Sequence, residues 1–234
     1  MLYIFDQLEY YDNEKTEKMI SILPPKRRKK AASYRFLKDK RLCCMAYYLF
    51  IYGMINEGLL AKGDSALIDF DYNDNGKPSI CGKNIEFNIS HCDEAVACVI
   101  ADNPIGVDVQ NFDTGIDMDT MRMIFSENEI SDIQSSKDNN YSISRYWVIK
   151  ESYLKCIGTG INDNMSQLDF SSFSSDSFNK DGYSYIIKRM KNYYLSVCER
   201  RMSIEDAEIC IISPQQIDEL TVALSLCSNR EKGI

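Results

Sequence analysis

The chain holds a single histidine and a single tryptophan among 234 residues. One histidine argues against a zinc site. Nine cysteines are present, but the number is odd and no Cys-x-x-Cys spacing occurs. Several sit in apolar runs, as Cys98 does in Ala-Val-Ala-Cys-Val-Ile, so free buried thiols in a reducing cytoplasm are expected rather than a disulfide scaffold. No apolar run approaches the roughly 20 residues that span a bilayer. The start, Met1-Leu-Tyr-Ile-Phe-Asp, lacks a charged segment followed by a long apolar stretch, so no signal peptide is expected. Also missing are a Gly-x-x-x-x-Gly-Lys-Ser loop and a Gly-x-Gly-x-x-Gly fingerprint, which counts against the common nucleotide-binding loops. No short repeat or low-complexity linker occurs. A soluble cytoplasmic protein without membrane contact is expected.

What is present is ordinary in bulk, with 44% hydrophobic and 26% charged residues, enough for one large domain or two small ones. The net charge of −8 argues against nucleic-acid binding. One stretch runs against that balance. Pro24-Pro-Lys-Arg-Arg-Lys-Lys continues through Arg35, Lys38, Lys40 and Arg41. It reads either as a solvated helix face or as a site for phosphates, where Lys acts as a point charge and Arg as a fork.

Residues 2–7 read as a strand and Glu14–Leu23 as a helix. A basic helix from Pro25 is expected to continue, turning apolar, through Leu42–Tyr52. Leu67–Tyr72 alternates like a strand, and Asn73-Asp-Asn-Gly-Lys-Pro is a turn cluster. Ile85, Phe87 and Ile89 alternate with Glu86, Asn88 and Ser90, predicting a half-buried strand whose polar face leads to His91. Ala95–Ile100 is an apolar strand. In Ile105-Gly-Val-Asp-Val-Gln, the residues Ile105, Val107 and Val109 point to a core, while Gly106, Asp108 and Gln110 share the other face. There, Gly106 would let a ligand's backbone or phosphate approach closely. Asp117–Phe125, Ser126–Gln134 and a segment ending at Cys156 read as helices. Ser171–Ser177 reads as a loop, and Tyr183–Lys188, Tyr193–Cys198 and Ala207–Ile212 as strands. Two halves, each with helices and an antiparallel hairpin, predict an α+β fold with its midpoint near Asp102-Asn-Pro.

The segment Trp147-Val-Ile-Lys-Glu-Ser-Tyr-Leu-Lys-Cys-Ile-Gly-Thr-Gly carries the most chemistry. On a helix, Trp147, Glu151 and Lys155 fall on one stripe, with Lys150 beside it, and Gly158 and Gly160 supply the stop. Taken alone, this could be an amphipathic helix with a surface ion pair worth roughly 0.2–0.5 kcal/mol. Asp108 alone could be a solubilising charge, and a lone His91 a packed or exposed side chain. In order along the chain, however, stand cations, Asn75-Gly-Lys-Pro, a strand-end Ser90-His91, a strand-borne Asp108 and a helix-borne Glu151 with Lys155 one turn on. Two carboxylates suit Mg²⁺ when substrate phosphates complete its shell, and the added cations suit phosphoryl transfer.

This order of motifs resembles the Sfp-type 4′-phosphopantetheinyl transferases, which move phosphopantetheine from coenzyme A to a serine of a carrier protein. The resemblance runs from about Leu23 to about Cys198. It implies two similar, pseudo-symmetric subdomains, each an antiparallel sheet packed on helices, divided as 1–102 and 103–234, with the active site at their interface. It further implies that Asp108 and Glu151 bind Mg²⁺, with Mn²⁺ as a substitute, and that Glu151 acts as base. Lys150 and Lys155 would neutralise pyrophosphate oxygens, Lys155 meeting the departing 3′,5′-ADP. Ser90 and His91 become phosphate contacts, Gly76-Lys77-Pro78 the loop near the adenine, and Lys26, Lys29 or Lys30, and Arg41 the contacts to the 3′-phosphate. Glu129 aligns with a glutamate implicated at the metal site, and it also completes a capping box with Ser126. Gln110 is a departure: many members carry a second carboxylate there, and an amide oxygen can ligate a metal but brings no charge. The implied partner is an apo acyl or peptidyl carrier protein of fatty acid, polyketide or nonribosomal peptide synthesis. A chain containing both halves can form the cleft as a monomer. The competing readings are a non-catalytic coenzyme-A-binding module and a different Mg²⁺-dependent nucleotide enzyme.

Overall fold

The structure is a computed structural model that describes residues 1–61, 68–80, 82, 85–112, 116–160, 164–200 and 208–231, with side chains up to 227. Leu67 and Ala207, at the starts of two expected strands, lie outside the described residues. Strand β1 (Leu2–Phe5) opens the chain, and helices α1 (Asn13–Ile22), α2 (Pro25–Ser33) and α3 (Leu37–Asn56) follow. The expected continuous basic helix is broken. Tyr34 and Phe36 are extended, with ψ of 136° and 142°, and Ser33 turns its hydroxyl back onto the Lys30 carbonyl. The break lets α2 fold against α3, so that the buried Arg27 donates to the Cys43 carbonyl at 3.1 Å.

A short hairpin, β2 (Asp71–Tyr72) and β3 (Pro78–Ser79), turns through Gly76, whose φ of +81° suits a residue without Cβ. Strands β4 (Glu86–His91) and β5 (Val96–Ala101) pair with each other, and β5 also pairs with β1. The second half supplies β6 (Ile105–Asn111) and the helices α4 (Met118–Ile124), α5 (Glu127–Ser135) and α6 (Asn139–Ile157). Strands β7 (Ser177–Lys180), β8 (Tyr183–Arg189) and β9 (Tyr193–Glu199) then complete a sheet in the order β6-β9-β8-β7. The chain returns to the first half at its end. Strand β10 (Ile209–Ile211) lies parallel on β1, and α7 (Pro214–Glu231) packs on α1 and α3, where Gln216 donates to the Tyr52 hydroxyl at 2.7 Å. The fold class is α+β, and every other strand pair among the described residues is antiparallel. Among the described residues no helix is long and apolar enough to cross a membrane.

Alternation within the strands divides the core. Tyr3, Phe5, Cys98 and Ile100 face α3, and Tyr185, Ile187 and Cys198 join the cluster around α6. The opposite faces meet in a third cluster, in which Leu2, Ile4, Ala97 and Val99 of one sheet share a core with Ile105, Val107, Val109 and Leu195 of the other. The two edges that meet here, β4 and β6, do not form a backbone ladder. Side chains take its place: Val107 N–H donates to the Asn88 side-chain oxygen at 3.0 Å, and Val109 N–H to Ser90 Oγ at 3.4 Å. The polar face expected on β4 is therefore buried in the seam, because it satisfies backbone donors of the neighbouring edge.

Candidate active site at the seam between the sheets

Asp108 sits in mid-strand on β6, facing α6, and is 5% exposed. Its Oδ1 accepts from the Ser90 hydroxyl at 2.9 Å and from Lys155 Nζ at 2.6 Å, and Lys155 also donates to Ser90 Oγ at 2.9 Å. Three elements are thus tied at one point. Ser90 gives its one O–H to Asp108 and accepts from Lys155 and Val109, so its capacity is filled by the protein. Glu151 lies one helical turn before Lys155. Burial first, and then the neighbouring Asp108 charge, push its carboxyl up to about 7.

The helix reaches this position because β6 makes room for it. A Cβ at Gly106 would lie 2.1 Å from the Ser152 carbonyl oxygen and 2.4 Å from the Cys156 nitrogen. Gly106 therefore admits the α6 backbone, not a ligand as the sequence led one to expect. Ser152 binds Ser196 of β9 through a 2.9 Å hydroxyl contact, and Gly158 ends the helix in the left-handed conformation. Asn75 fastens the β2–β3 turn to that end by donating to the Gly158 carbonyl at 3.0 Å.

Lys150 is not brought to this site. Its ammonium, 0% exposed, contacts Glu129 at 2.7 Å and donates to the carbonyls of Ile124, Met165 and Leu168. Glu129 is equally buried and accepts from the backbone N–H groups of Ser126 (2.8 Å) and Phe170 (3.0 Å), closing the capping box. Burial pushes Glu129 up and Lys150 down, and their mutual contact opposes both shifts. Full coordination on both sides is what an ionised buried pair requires. The capping box expected of Glu129 is formed, together with an ion pair to Lys150. The pyrophosphate contact expected of Lys150 is replaced by this clamp.

Beside the seam lies a pocket of about 210 Å³ lined by Arg27, Lys30, Tyr34, Tyr72, Gly76, Pro78 and His91, among others. Of the basic run, Arg27 and Lys30 line this pocket, whereas Lys26 and Lys29 are exposed and outside its lining, and Arg41 pairs with Glu9 at 2.8 Å. Lys77 turns away to Glu86 and the Cys156 carbonyl, both at 3.1 Å. Arg27 was missed. It donates to the Tyr72 hydroxyl at 3.2 Å and lies over the Phe70 ring at 5.1 Å. Its signal was the position of Ala31, one turn on, which marks the buried side of α2. His91 is open to solvent at the pocket's edge. The surrounding protein, and then the Lys155 ammonium, hold its imidazole below the ordinary histidine value.

Two oxygens stand out in this polar cluster. Asp108 Oδ2 and Glu151 Oε1 are buried, and neither has a hydrogen-bond partner. A lone pair of carboxylate oxygens left unsatisfied is costly unless a ligand completes it. Among the described residues no group of three or more His, Cys, Asp or Glu side chains gathers. Two carboxylates fit a hard divalent cation whose other oxygen ligands come from a bound phosphate and water. Gln110, two residues along the same face of β6, is half-buried.

A family model described as the 4′-phosphopantetheinyl transferase superfamily matches residues 104–211. Over those residues the chain is similar to that superfamily. The 4′-phosphopantetheinyl transferase gsp of Aneurinibacillus migulanus is 36% identical over 131 residues, covering 55% of this chain and 50% of the relative. The transferase Sfp of Bacillus subtilis strain 168 is 28% identical over 152 residues, 64% of this chain and 66% of its own. An L-aminoadipate-semialdehyde dehydrogenase-phosphopantetheinyl transferase of Xenopus laevis is 27% identical over 162 residues, 62% and 53% respectively. The chain thus spans about half to two thirds of the length of these curated relatives. Asp108, Gln110, Glu151 and Lys155 fall within the superfamily match. Ser90, His91 and the basic pocket precede it.

Proposed function

We propose that the chain transfers the 4′-phosphopantetheinyl group of coenzyme A to a serine hydroxyl of an apo acyl or peptidyl carrier protein, releasing 3′,5′-ADP. The observation that carries this reading is the pair of unpartnered buried oxygens on Asp108 and Glu151, set beside Lys155 and next to a basic pocket. Coenzyme A carries a pyrophosphate and a 3′-phosphate, so it needs two separate patches of positive charge. Lys30 and Arg27 supply the charge of one, with His91 beside them as a hydrogen-bonding group, and Lys155 belongs to the other.

In this reading Asp108 and Glu151 would hold Mg²⁺, or Mn²⁺ in its place, which supplies Lewis acidity and a template for the pyrophosphate. Glu151, whose carboxyl titrates near neutrality, accepts the proton of the attacking serine. A bond forms from the serine oxygen to the β-phosphorus, and the bond from that phosphorus to the bridging oxygen breaks. Lys155 leaves Asp108 and delivers charge or a proton to the released oxygen.

The test mixes the protein with apo carrier, coenzyme A and Mg²⁺ and weighs the carrier. A gain of one phosphopantetheine unit is expected. No gain across several carriers, with coenzyme A still bound, would replace the transferase by a non-catalytic coenzyme-A-binding module.

A further inference from the structure

Lys155 has two tasks that cannot be performed at once. Its ammonium, on a side chain that is 28% exposed, sits 2.6 Å from Asp108 Oδ1 and 2.9 Å from Ser90 Oγ. That position neutralises the carboxylate to which a divalent cation would bind. Meanwhile Asp108 Oδ2 and Glu151 Oε1 stay buried without partners. The arrangement is a cation site partly filled by a tethered side chain.

Resting on the transferase reading, we infer that Lys155 is a built-in stand-in for the divalent cation. It keeps metal affinity low in the free chain and yields Asp108 only when a pyrophosphate draws the ammonium away. Three physical points support it. The tethered ammonium competes with any cation for Asp108, and the two cations repel each other at that distance. The groups around Lys155 are Asp108 of β6, Ser90 and His91 of β4, and Glu151 on its own helix; none but the two carboxylates bears negative charge. A pyrophosphate brings the anionic partner that Lys155 lacks elsewhere, and so frees Asp108. By linkage, metal and pyrophosphate then favour each other through Lys155 as well as by direct contact. Cation and pyrophosphate arrive together, and the ammonium is released where the leaving oxygen forms.

The test reads metal binding in the absence of carrier and coenzyme A. Mn²⁺ is titrated into the full chain and the free ion is followed by electron paramagnetic resonance, with and without inorganic pyrophosphate. Lys155→Met is expected to tighten Mn²⁺ binding to the pyrophosphate-free chain about 10-fold, within the usual range of coupling between sites. The pyrophosphate-induced gain should shrink correspondingly. Lys155→Arg keeps the charge and should bind as weakly as wild type. Lys155→Gln, which keeps a neutral donor, should behave like Lys155→Met and serves if the latter does not fold. Equal or weaker binding by both neutral variants, or tightening by Lys155→Arg as large as theirs, overturns the inference. Because the carrier assay uses none of the Lys155 variants and the metal titration uses no carrier, failure of the transferase reading and failure of this inference are read separately.

Discussion

Lys150 and Glu151 are consecutive on α6, and both are withdrawn from solvent, at 0% and 7% exposure. Their surroundings differ completely. Lys150 is enclosed by the Glu129 carboxylate and three backbone carbonyls, which fill all its donors. Glu151 shares its charge environment with Asp108 and Lys155 and keeps one buried oxygen without a partner. The first environment is closed and ties α4, α5 and the 165–168 turn to the helix. The second is open to a ligand. A buried charge with every bond filled speaks for architecture, whereas one left short speaks for chemistry. Adjacent residues of one motif can therefore serve different ends, and the 100° step between them along the helix decides which.

The largest effect is expected at Lys150. Lys150→Met strands Glu129 and three carbonyls, so a loss of about 3–5 kcal/mol in unfolding free energy is expected from denaturant titration. A loss below about 1 kcal/mol would mean that the clamp is not structural. A smaller effect, of opposite sign, is expected at Glu151. Its carboxyl titrates near 7 in the fold against 4.5 when unperturbed, so the folded chain holds that proton more tightly. That contribution to stability is complete below the unfolded value and is lost as pH rises through about 7. Between about pH 5 and 8, metal-free wild type should lose roughly 2–3 kcal/mol relative to Glu151→Gln. Parallel stability curves for the two proteins would remove the burial argument. The mildest change is Gln110→Glu, which adds a charge beside Asp108. Transfer should persist while the Mg²⁺ needed for half-maximal rate falls a few-fold, in the range of a single exposed charge pair. An unchanged or higher requirement would separate Gln110 from the metal site.

Much of this was legible in local pattern. The alternation in Ile105–Gln110 put Asp108 and Gln110 on one face of β6, and the i, i+4 spacing put Glu151 above Lys155. Gly158 was correctly the helix stop, with a φ of +73°. What local pattern could not carry was the destination of side chains across the fold. Lys150 looked like a partner for phosphate because its acceptors lie at residues 124, 129, 165 and 168, far from it in sequence. Gly106 read as room for a ligand, because the helix that fills that room starts more than 30 residues later. The break at Tyr34–Phe36 escaped notice for a similar reason: the gain that drives it, Arg27 folded onto Cys43, is tertiary. So did the return of β10 to β1.

Glu151, on the open side of α6, is the proposed base. The measurement that bears on it most directly is the mass of an apo carrier protein after incubation with coenzyme A, Mg²⁺ and either wild type or Glu151→Gln. A gain of one phosphopantetheine unit is expected with wild type. With the variant, a rate lower by about 10²–10⁴ is expected, at unchanged helix content by circular dichroism. A variant that modifies the carrier at a near-normal rate would contradict that role for Glu151.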